Sequence, residues 1–223
     1  LGMKKKVGML STIHNKINKE TTESTHTTGD TLQINQLLSQ MISGGCEYCF
    51  MEVSSHALDQ NRVAGVSFDV AVFSNLSRDH IDYHGGFGQY ALAKRRLFDF
   101  CSLTAAVINT DEPFGRELVS QLRGRDLTCV TYGTTKEADV SWVVDKYTRD
   151  GVVGKWHTKW GESDFDLPLF GDFSVANVAA ALGVALHRGY PLSEITTLLK
   201  RLPYIPGRME TYRIDGKPAV VVD

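Results

Sequence analysis

The sequence lacks the long apolar runs and the excess of basic charge that mark two large classes of protein. No stretch approaches the ~20 consecutive apolar residues that a membrane-spanning helix needs, and no signal peptide opens the chain. The 24 Lys and Arg residues are balanced by 26 Asp and Glu residues, giving a formal net charge of −2. A dedicated nucleic-acid surface normally shows a strong basic excess. We therefore expect a cytoplasmic protein with no membrane partner and no nucleic-acid partner.

Cysteine is also scarce, with four residues among 223. Cys46 and Cys49 form a CxxC, but no second pair follows at the spacing of a zinc site, which argues against a zinc knuckle. Cys49 lies in an apolar run, where cysteine behaves as a small buried hydrophobe. This reading is favoured over a redox motif, and buried, reduced thiols fit a reducing compartment.

A phosphate-binding loop is the third absence. The pattern G-x-x-x-x-G-K-[ST] occurs nowhere in the chain, so any ATP that the protein uses has its main phosphate site outside these residues. The chain begins with Leu1 and stops directly after the apolar run 219–222. A natural domain seldom ends on a buried strand, so we expect a fragment.

What is present is an alternation of short apolar runs with segments of helical period. It predicts an α/β fold: a doubly wound, mostly parallel sheet flanked by helices, with a small antiparallel hairpin appendage. Residues 11–28 are expected to form a polar loop, and residues 48–53 a strand buried on both faces. The other predicted strands are 7–10, 70–73, 105–108 and 127–131, the hairpin is 140–147 with 152–160, and the helices are 31–43, 89–100, 113–122, 174–188 and 192–202.

The densest polar cluster is NLSRDHIDYH (residues 75–84), which follows a predicted strand. The carboxyl edge of an α/β sheet is where such folds bind ligands. His80 and His84 have the i, i+4 spacing that can place two ligands on one helical face. The residues alone leave two interpretations open, namely metal or phosphate chemistry, and a polar loop whose side chains hydrogen-bond locally.

Glu52 stands near the end of an otherwise apolar predicted strand, where a carboxylate is costly to bury without a cation. Either an arginine or a hard divalent ion such as Mg²⁺ would neutralise it, and His80 follows the neighbouring strand as a further ligand. The span 54–62 adds hydroxyls, an amide and Arg62, which suit an anionic or hydroxylated ligand. The basic run 94–96 is typical of a solvated helix face.

Six segments together resemble the central domain of the Mur ligases, and most closely its MurE-type branch. They are THTTG (25–29), MEVSSHAL (51–58) with Gln60 and Arg62, NLSRDHIDYHG (75–85), Ala93 with Lys94, GDFSVAN (171–177) and PGRME (206–210). The resemblance implies that residues 1–223 are this ATP-binding catalytic domain. The fragment would lack the P-loop, the N-terminal uridine-binding domain and the C-terminal domain.

The resemblance also implies an activity. A Mur ligase of this branch adds a diamino acid, meso-diaminopimelate or L-lysine, to UDP-MurNAc-L-Ala-D-Glu through an acyl phosphate, using ATP, in peptidoglycan precursor synthesis. The fragment alone is expected to be inactive, and the protein to be a monomer in the bacterial cytoplasm. The implied partners are the UDP-MurNAc-dipeptide and the free diamino acid.

The implied roles fall on particular residues. Lys94 and His80 would be catalytic, and Mg²⁺ would be held by Glu52, His80 and Lys94, with Lys94 N6-carboxylated. The muramyl dipeptide would be bound by Thr27, Thr28, Ser54, Gln60 and Arg62, and ATP by Asn177, Arg208 and Asp223. Asp172 and Ser174 depart from the Arg and Asn that are more usual in the family.

Two other classes of function stay open on the residues. A metal-dependent hydrolase would use His80, His84, Asp79 and Asp82 and would need no phosphate loop. A binding or scaffold module would have a degenerate site, although the joint presence of Glu52, His80 and Lys94 argues against it.

Overall fold

The computed structural model describes residues 5–77, 79–203, 210–212 and 220–222. The chain divides into two compact units. The first comprises Leu1–Asp69 and Ser77–Leu103, and the second comprises Val70–Leu76 and Thr104–Asp223. Within the described residues, no helix has the length and apolar character to cross a membrane.

The first unit is built around a four-stranded sheet with order β3-β2-β1-β4. Strand β1 pairs in parallel with β4, from Val7 opposite Tyr48 to Leu10 opposite Met51, and the other pairings are antiparallel. The elements are β1 (Val7–Leu10), β2 (His14–Ile17), β3 (Glu20–Glu23), α1 (Thr31–Ser43), β4 (Tyr48–Met51), α2 (Ser55–Asp59), α3 (Ile81–His84), α4 (Phe87–Arg95) and a 3-10 helix (Arg96–Asp99).

Helix α1 confirms its predicted start, but Leu32 and Ile42, two of the apolar residues on which its helical period rests, are exposed. The Asp30 side chain accepts a hydrogen bond of 2.8 Å from the Gln33 amide, which satisfies a backbone donor that the first turn leaves unpaired. Ile34 on the inner face is 1% exposed and packs in a cluster with Leu58 and Val63. The apolar face of α1 therefore fixes α2 and the segment after it.

The predicted loop 11–28 was wrong, because its residues include strands β2 and β3. Strand β3 is exposed along its whole length, so it has no apolar alternation by which a sequence pattern could reveal it. The two strands are joined through Asn18 and Lys19, and Asn18 takes a positive φ of 56°. A two-residue turn of this kind matches the twist of an antiparallel pair.

The prediction that residues 48–53 are buried on both faces was also wrong. Phe50 in β4 is 55% exposed, and Glu52 directly after the strand is exposed as well. Cys49 and Cys101 are exposed, so the buried-thiol interpretation of Cys49 fails, although all four cysteines are free as expected.

The second unit contains a six-stranded sheet with order β10-β9-β8-β7-β6-β5. Strands β5 to β8 pair in parallel and β8 to β10 pair antiparallel, so the predicted hairpin is present but continues the sheet through Tyr132 opposite Val140. The elements are β5 (Val70–Phe73), β6 (Ala105–Asn109), α5 (Pro113–Leu122), β7 (Thr128–Tyr132), β8 (Val140–Tyr147), β9 (Val152–Thr158), β10 (Gly161–Leu167), α6 (Asp172–His187), α7 (Leu192–Leu199), β11 (Glu210–Tyr212) and β12 (Val220–Val222).

Helices cover both faces of β6, as a doubly wound sheet requires. A Cβ placed on Gly183 of α6 would lie 3.0 Å from Cγ1 of Val107, and one on Gly115 of α5 would lie 3.3 Å from Cγ2 of Ile108. Neighbouring residues of a strand point to opposite faces, so α5 and α6 lie on opposite sides. Every residue of β6 is buried, which confirms its prediction as a strand of the core.

Gly115 tests this packing. A Cβ at Gly115 would overlap the carbonyl oxygen of Asn109, a backbone atom that cannot turn aside. We expect Gly115→Ala to lower the free energy of unfolding by about 1–3 kcal/mol, measured by urea denaturation with circular dichroism. Gly88→Ala is the matched control, because it is also helical and no atom lies within 4 Å of the added carbon. Equal losses in the two variants would contradict the close approach of α5 to β6.

Candidate active site

Polar side chains of the first unit collect where β1 and β4 end. The Glu52 amide continues the strand pairing by donating to the Leu10 carbonyl at 2.9 Å. Oε2 of Glu52 then accepts hydrogen bonds from the Thr12 amide, at 2.9 Å, and from the Thr12 hydroxyl. The Thr27 hydroxyl lies 3.1 Å from the Thr12 hydroxyl. The Glu52 carboxylate is therefore oriented by hydroxyl and amide donors. Because it is exposed, it does not need a cation to compensate for burial.

Thr28 and Ser54 hold the chain where β4 leads into α2. The Thr28 hydroxyl donates to the Glu52 carbonyl at 2.9 Å and accepts from the Ser54 amide at 3.0 Å. Ser54 caps α2, since its Oγ accepts from the Ala57 amide at 3.2 Å. Thr28 is 2% exposed, so its hydroxyl is enclosed by the backbone, whereas Thr27 is half-buried. Substrate contact by these residues stays a prediction.

Gln60 and Arg62 are joined into one hydrogen-bonded chain. Nε of Arg62 donates to Oε1 of Gln60 at 2.7 Å, and Nη1 of Arg62 donates to the Thr28 carbonyl at 3.0 Å. Nε2 of Gln60 donates to the Tyr83 hydroxyl at 2.8 Å. The structure thus brings together three of the predicted substrate-binding residues and adds Tyr83.

His80 lies at the start of α3 in the left-handed backbone region, with φ 56° and ψ 20°. Its exposed imidazole stands in a cluster of rings. The His56 and His80 ring centroids are 4.8 Å apart, those of His56 and Tyr83 are 4.0 Å apart, and those of His84 and Tyr90 are 5.4 Å apart. Burial, followed by the nearby His80, His84 and Arg62, lowers the pKa of His56 below its ordinary value of 6.5.

The prediction that the basic run 94–96 lies on a solvated helix face is wrong for Lys94. It is half-buried on α4, with Nζ 5.3 Å from the centroid of the Tyr90 ring. Burial lowers the pKa of Lys94, while Asp79 acts in the opposite direction. Arg95 and Arg96 do meet solvent, and they pair with Asp99 at 3.9 Å and with Asp59 at 3.2 Å.

The metallohydrolase alternative receives no support from the described part of the chain. Among those residues, no group of three or more histidine, cysteine or carboxylate side chains is placed to hold a metal ion. Nε2 of His84 lies 2.9 Å from Oγ of Ser55, so this nitrogen is already hydrogen-bonded within the protein. Ser55 is 2% exposed, which also closes it to attack on a substrate.

A magnesium site fits the donor chemistry of Glu52, His80 and Lys94 under one condition. Glu52 offers an exposed carboxylate and His80 an exposed imidazole. A lysine ammonium has no lone pair for a metal, whereas carboxylation would give Lys94 anionic oxygens of the kind that Mg²⁺ prefers. All three residues belong to the first unit.

The residues expected to bind ATP are less fully described. Asn177 is exposed on α6 in the second unit, and Arg208 and Asp223 lie outside the described residues. At the start of α6, the helix that carries Asn177, Asp172 accepts a hydrogen bond from the Tyr147 hydroxyl. This hydrogen bond raises the pKa of Tyr147.

Comparison with known proteins supplies the family. The model for the Mur ligase middle domain matches residues 1–185.

The chain belongs to the Mur ligase family.

Two relatives carry the name UDP-N-acetylmuramoyl-L-alanyl-D-glutamate--2,6-diaminopimelate ligase. The protein of Neisseria meningitidis serogroup A is 39% identical over 220 residues, which are 98% of this chain and 45% of the relative. That of Pseudomonas aeruginosa is 42% identical over 199 residues, which are 89% of this chain and 40% of the relative. This Mur ligase chain therefore spans less than half the length of these relatives.

Solved structures agree with this assignment. A structure of a ligase with that same name has a TM-score of 0.86 and 34% identity, covering 96% of this chain and 44% of its own. A MurF from Acinetobacter baumannii has a TM-score of 0.77 at 17% identity, covering 100% of this chain and 46% of its own, and it supports the fold.

Several residues of this candidate site were not predicted from the sequence. Thr12 lies in the segment that was interpreted as a loop, and no pattern connected it with Glu52. His56 and Tyr83 stand inside the family segments, so their presence there was the available signal. No sequence signal pointed to Asp59, because it accepts a hydrogen bond from the Tyr83 hydroxyl only where α3 approaches α2 in the folded chain.

The lowered pKa of His56 can be measured. We expect its imidazole to titrate below pH 6.5 in NMR spectra, with the signal assigned by its loss in His56→Gln. Near pH 6.5, His56 is protonated to a greater extent in the unfolded chain than in the folded chain. The free energy of unfolding should therefore fall as the pH drops below 6.5. His56→Gln should reduce that fall. Titration of His56 at or above pH 6.5 would rule out the desolvated ring cluster.

Proposed function

We propose that this chain is the middle part of an ATP-dependent ligase that adds meso-diaminopimelate to UDP-MurNAc-L-Ala-D-Glu during cytoplasmic synthesis of peptidoglycan precursors. The observation that carries the proposal is the placement of eight residues in one compact unit. They are the residues expected to bind metal and muramyl dipeptide, namely Thr27, Thr28, Glu52, Ser54, Gln60, Arg62, His80 and Lys94. The names of relatives that are 39% and 42% identical support the choice of amino acid.

The Arg62 guanidinium is suited to an anionic group of the dipeptide substrate. Its Nε and Nη1 are bound to Gln60 and Thr28, which fix the plane of the fork. Nη2 donates no hydrogen bond to the described residues, so it can donate to a carboxylate or phosphate. A guanidinium held in this way loses little side-chain entropy when the substrate binds.

Glu52, His80 and a carboxylated Lys94 would hold Mg²⁺, which would neutralise the charge that develops on phosphoryl oxygens. Partial burial on α4 prepares Lys94 for carboxylation. A lowered pKa raises the fraction of neutral amine, and the neutral amine is the form that adds CO₂ to give a carbamate and release a proton.

The proposed reaction is the acyl-phosphate route of the family. The D-Glu carboxylate attacks the γ-phosphorus of ATP, and ADP leaves. The neutral amine of the diamino acid then attacks the acyl carbon, its nitrogen loses one proton to water, the amide bond forms, and phosphate leaves with the electron pair of the broken C–O bond. In this scheme Gln60 and Arg62 orient the dipeptide, and Asn177 is proposed to contact the adenosine part of ATP. Orientation and fixed charge supply most of the rate in such transfers.

Residues 1–223 alone should form no tripeptide. A phosphate loop cradles nucleotide phosphates with several backbone N–H groups, and side chains elsewhere do not replace them. The assay measures phosphate release and UDP-MurNAc-tripeptide formation with ATP, Mg²⁺ and meso-diaminopimelate. The control is the complete ligase, meaning these residues joined to a phosphate loop and the flanking domains. Tripeptide formation by the 223-residue chain would contradict the prediction.

Lys94 tests the metal site. In the complete ligase we expect Lys94→Ala and Lys94→Arg to lower kcat on the order of 10²-fold or more, because a group that stabilises transition-state charge is lost. Arginine keeps the positive charge, so a loss of activity in Lys94→Arg would show that positive charge at this position is not sufficient for catalysis. The wild type supplied with ¹³C-bicarbonate should show a carbamate resonance that both variants lack. Wild-type rates in Lys94→Arg would remove the carbamate from the mechanism.

A further inference from the structure

Tyr83 is the point where the helix that follows His80 meets the segment that carries Gln60 and Arg62. Its hydroxyl oxygen accepts from Nε2 of Gln60 at 2.8 Å, and the hydroxyl donates to Oδ2 of Asp59 at 3.2 Å. Its ring lies against that of His56, with a centroid distance of 4.0 Å. One side chain therefore contacts both parts of the proposed site.

The hydrogen-bond chain through Tyr83 has a single direction. Arg96 lies 3.2 Å from Oδ1 of Asp59, which keeps that carboxylate in place as an acceptor. The Tyr83 proton is then directed to Asp59, and a lone pair of the Tyr83 oxygen faces the Gln60 amide nitrogen. The amide orientation of Gln60 follows, so its oxygen faces Nε of Arg62 at 2.7 Å.

Helix α3 depends on such side-chain contacts for its position. It has four residues, none of them buried, and its start has no side-chain cap. His80 before it and Gly85 after it both adopt left-handed backbone conformations, with φ of 56° and 72°. The contacts of Tyr83 with α2, together with the His84 contact to Ser55, tie this short helix and therefore His80 to the rest of the unit.

We propose that Tyr83 is a positioning residue with two separable actions. Its hydroxyl orients Gln60 and Arg62 toward the UDP-MurNAc-dipeptide, and its ring against His56 fixes α3 and the placement of His80. This inference rests on the proposed function, because it assigns Tyr83 to the binding of that substrate and to the placement of a proposed magnesium ligand.

Two substitutions in the complete ligase separate these actions. Tyr83→Phe keeps the ring and removes the hydroxyl, so the KM for UDP-MurNAc-L-Ala-D-Glu should rise about 10-fold, the usual effect of a lost hydrogen bond that orients a charged group. Its kcat and its Mg²⁺ requirement should stay at the wild-type values. Tyr83→Ala also removes the ring, so it should additionally raise the Mg²⁺ concentration for half-maximal rate.

Gln60 provides the test that a merely structural role would not pass. If the hydroxyl acts through Gln60, Tyr83→Phe should have little further effect on KM in a Gln60→Ala background, so the two changes are non-additive. Tyr132→Phe is the matched control. It removes a tyrosine hydroxyl bound at 3.1 Å to the Phe73 carbonyl in the second unit, and the KM for the dipeptide should not change.

The outcomes distinguish this proposal from the proposed function. A wild-type ligase that makes no tripeptide overturns the function. An active wild type with an unchanged KM in Tyr83→Phe, or with the same rise in KM in the Gln60→Ala background, overturns the role of Tyr83 alone. A fall in kcat of Tyr83→Phe at constant KM also overturns it. Where circular dichroism shows Tyr83→Ala to be unfolded, Tyr83→Leu takes its place, and an unchanged Mg²⁺ requirement in the folded variant overturns the action of the ring.

Discussion

The parallel pairing of β1 with β4 is the constraint on which the candidate site depends. Parallel strands end at the same edge of a sheet, so the residues that follow them are forced together. Thr12 after β1 and Glu52 after β4 meet there by two hydrogen bonds. The enclosed hydroxyl of Thr28 then ties the preceding loop to the same strand end. From this edge, α2 carries Ser54 at its start and leads to Gln60 and Arg62.

The side chains around this edge suit an anionic substrate. Arg62 carries a positive charge, the imidazoles of His56, His80 and His84 lie in one ring cluster, and Asp59 is already paired with Arg96. Lys94 belongs to the same unit and is half-buried, and this burial lowers its pKa and so raises the fraction of neutral amine. The unit therefore combines fixed hydrogen-bond donors with side chains whose charge would change on binding. CO₂ would convert the Lys94 amine to an anionic carbamate, and a metal ion would neutralise nearby carboxylates.

The sequence predicted the buried elements of the fold better than the exposed ones. Strand β6 and the Asp30 cap of α1 were predictable, because a continuous apolar run and a capping carboxylate are local signals in the sequence. Strands β2 and β3 were not, since β3 is exposed along its whole length and the partly buried β2 shows no alternation of apolar and polar residues. The family segments named Glu52, Gln60 and His80, but the exposure of Glu52 was not predictable from its apolar neighbours. The Tyr83 contact with Gln60 joins residues 23 positions apart, a distance that local patterns do not span.

The left-handed backbone of His80 places two demands on one residue. Most side chains lose roughly 1–2 kcal/mol in that conformation, while glycine and asparagine tolerate it. Histidine and alanine both carry a Cβ and bear this cost, so an alanine at position 80 would remove the imidazole at nearly constant backbone strain. A glycine would remove the imidazole and relieve the strain as well, so its effect would understate the value of the ring. The same positive φ limits the side chains that position 80 can accept to those that tolerate the left-handed conformation.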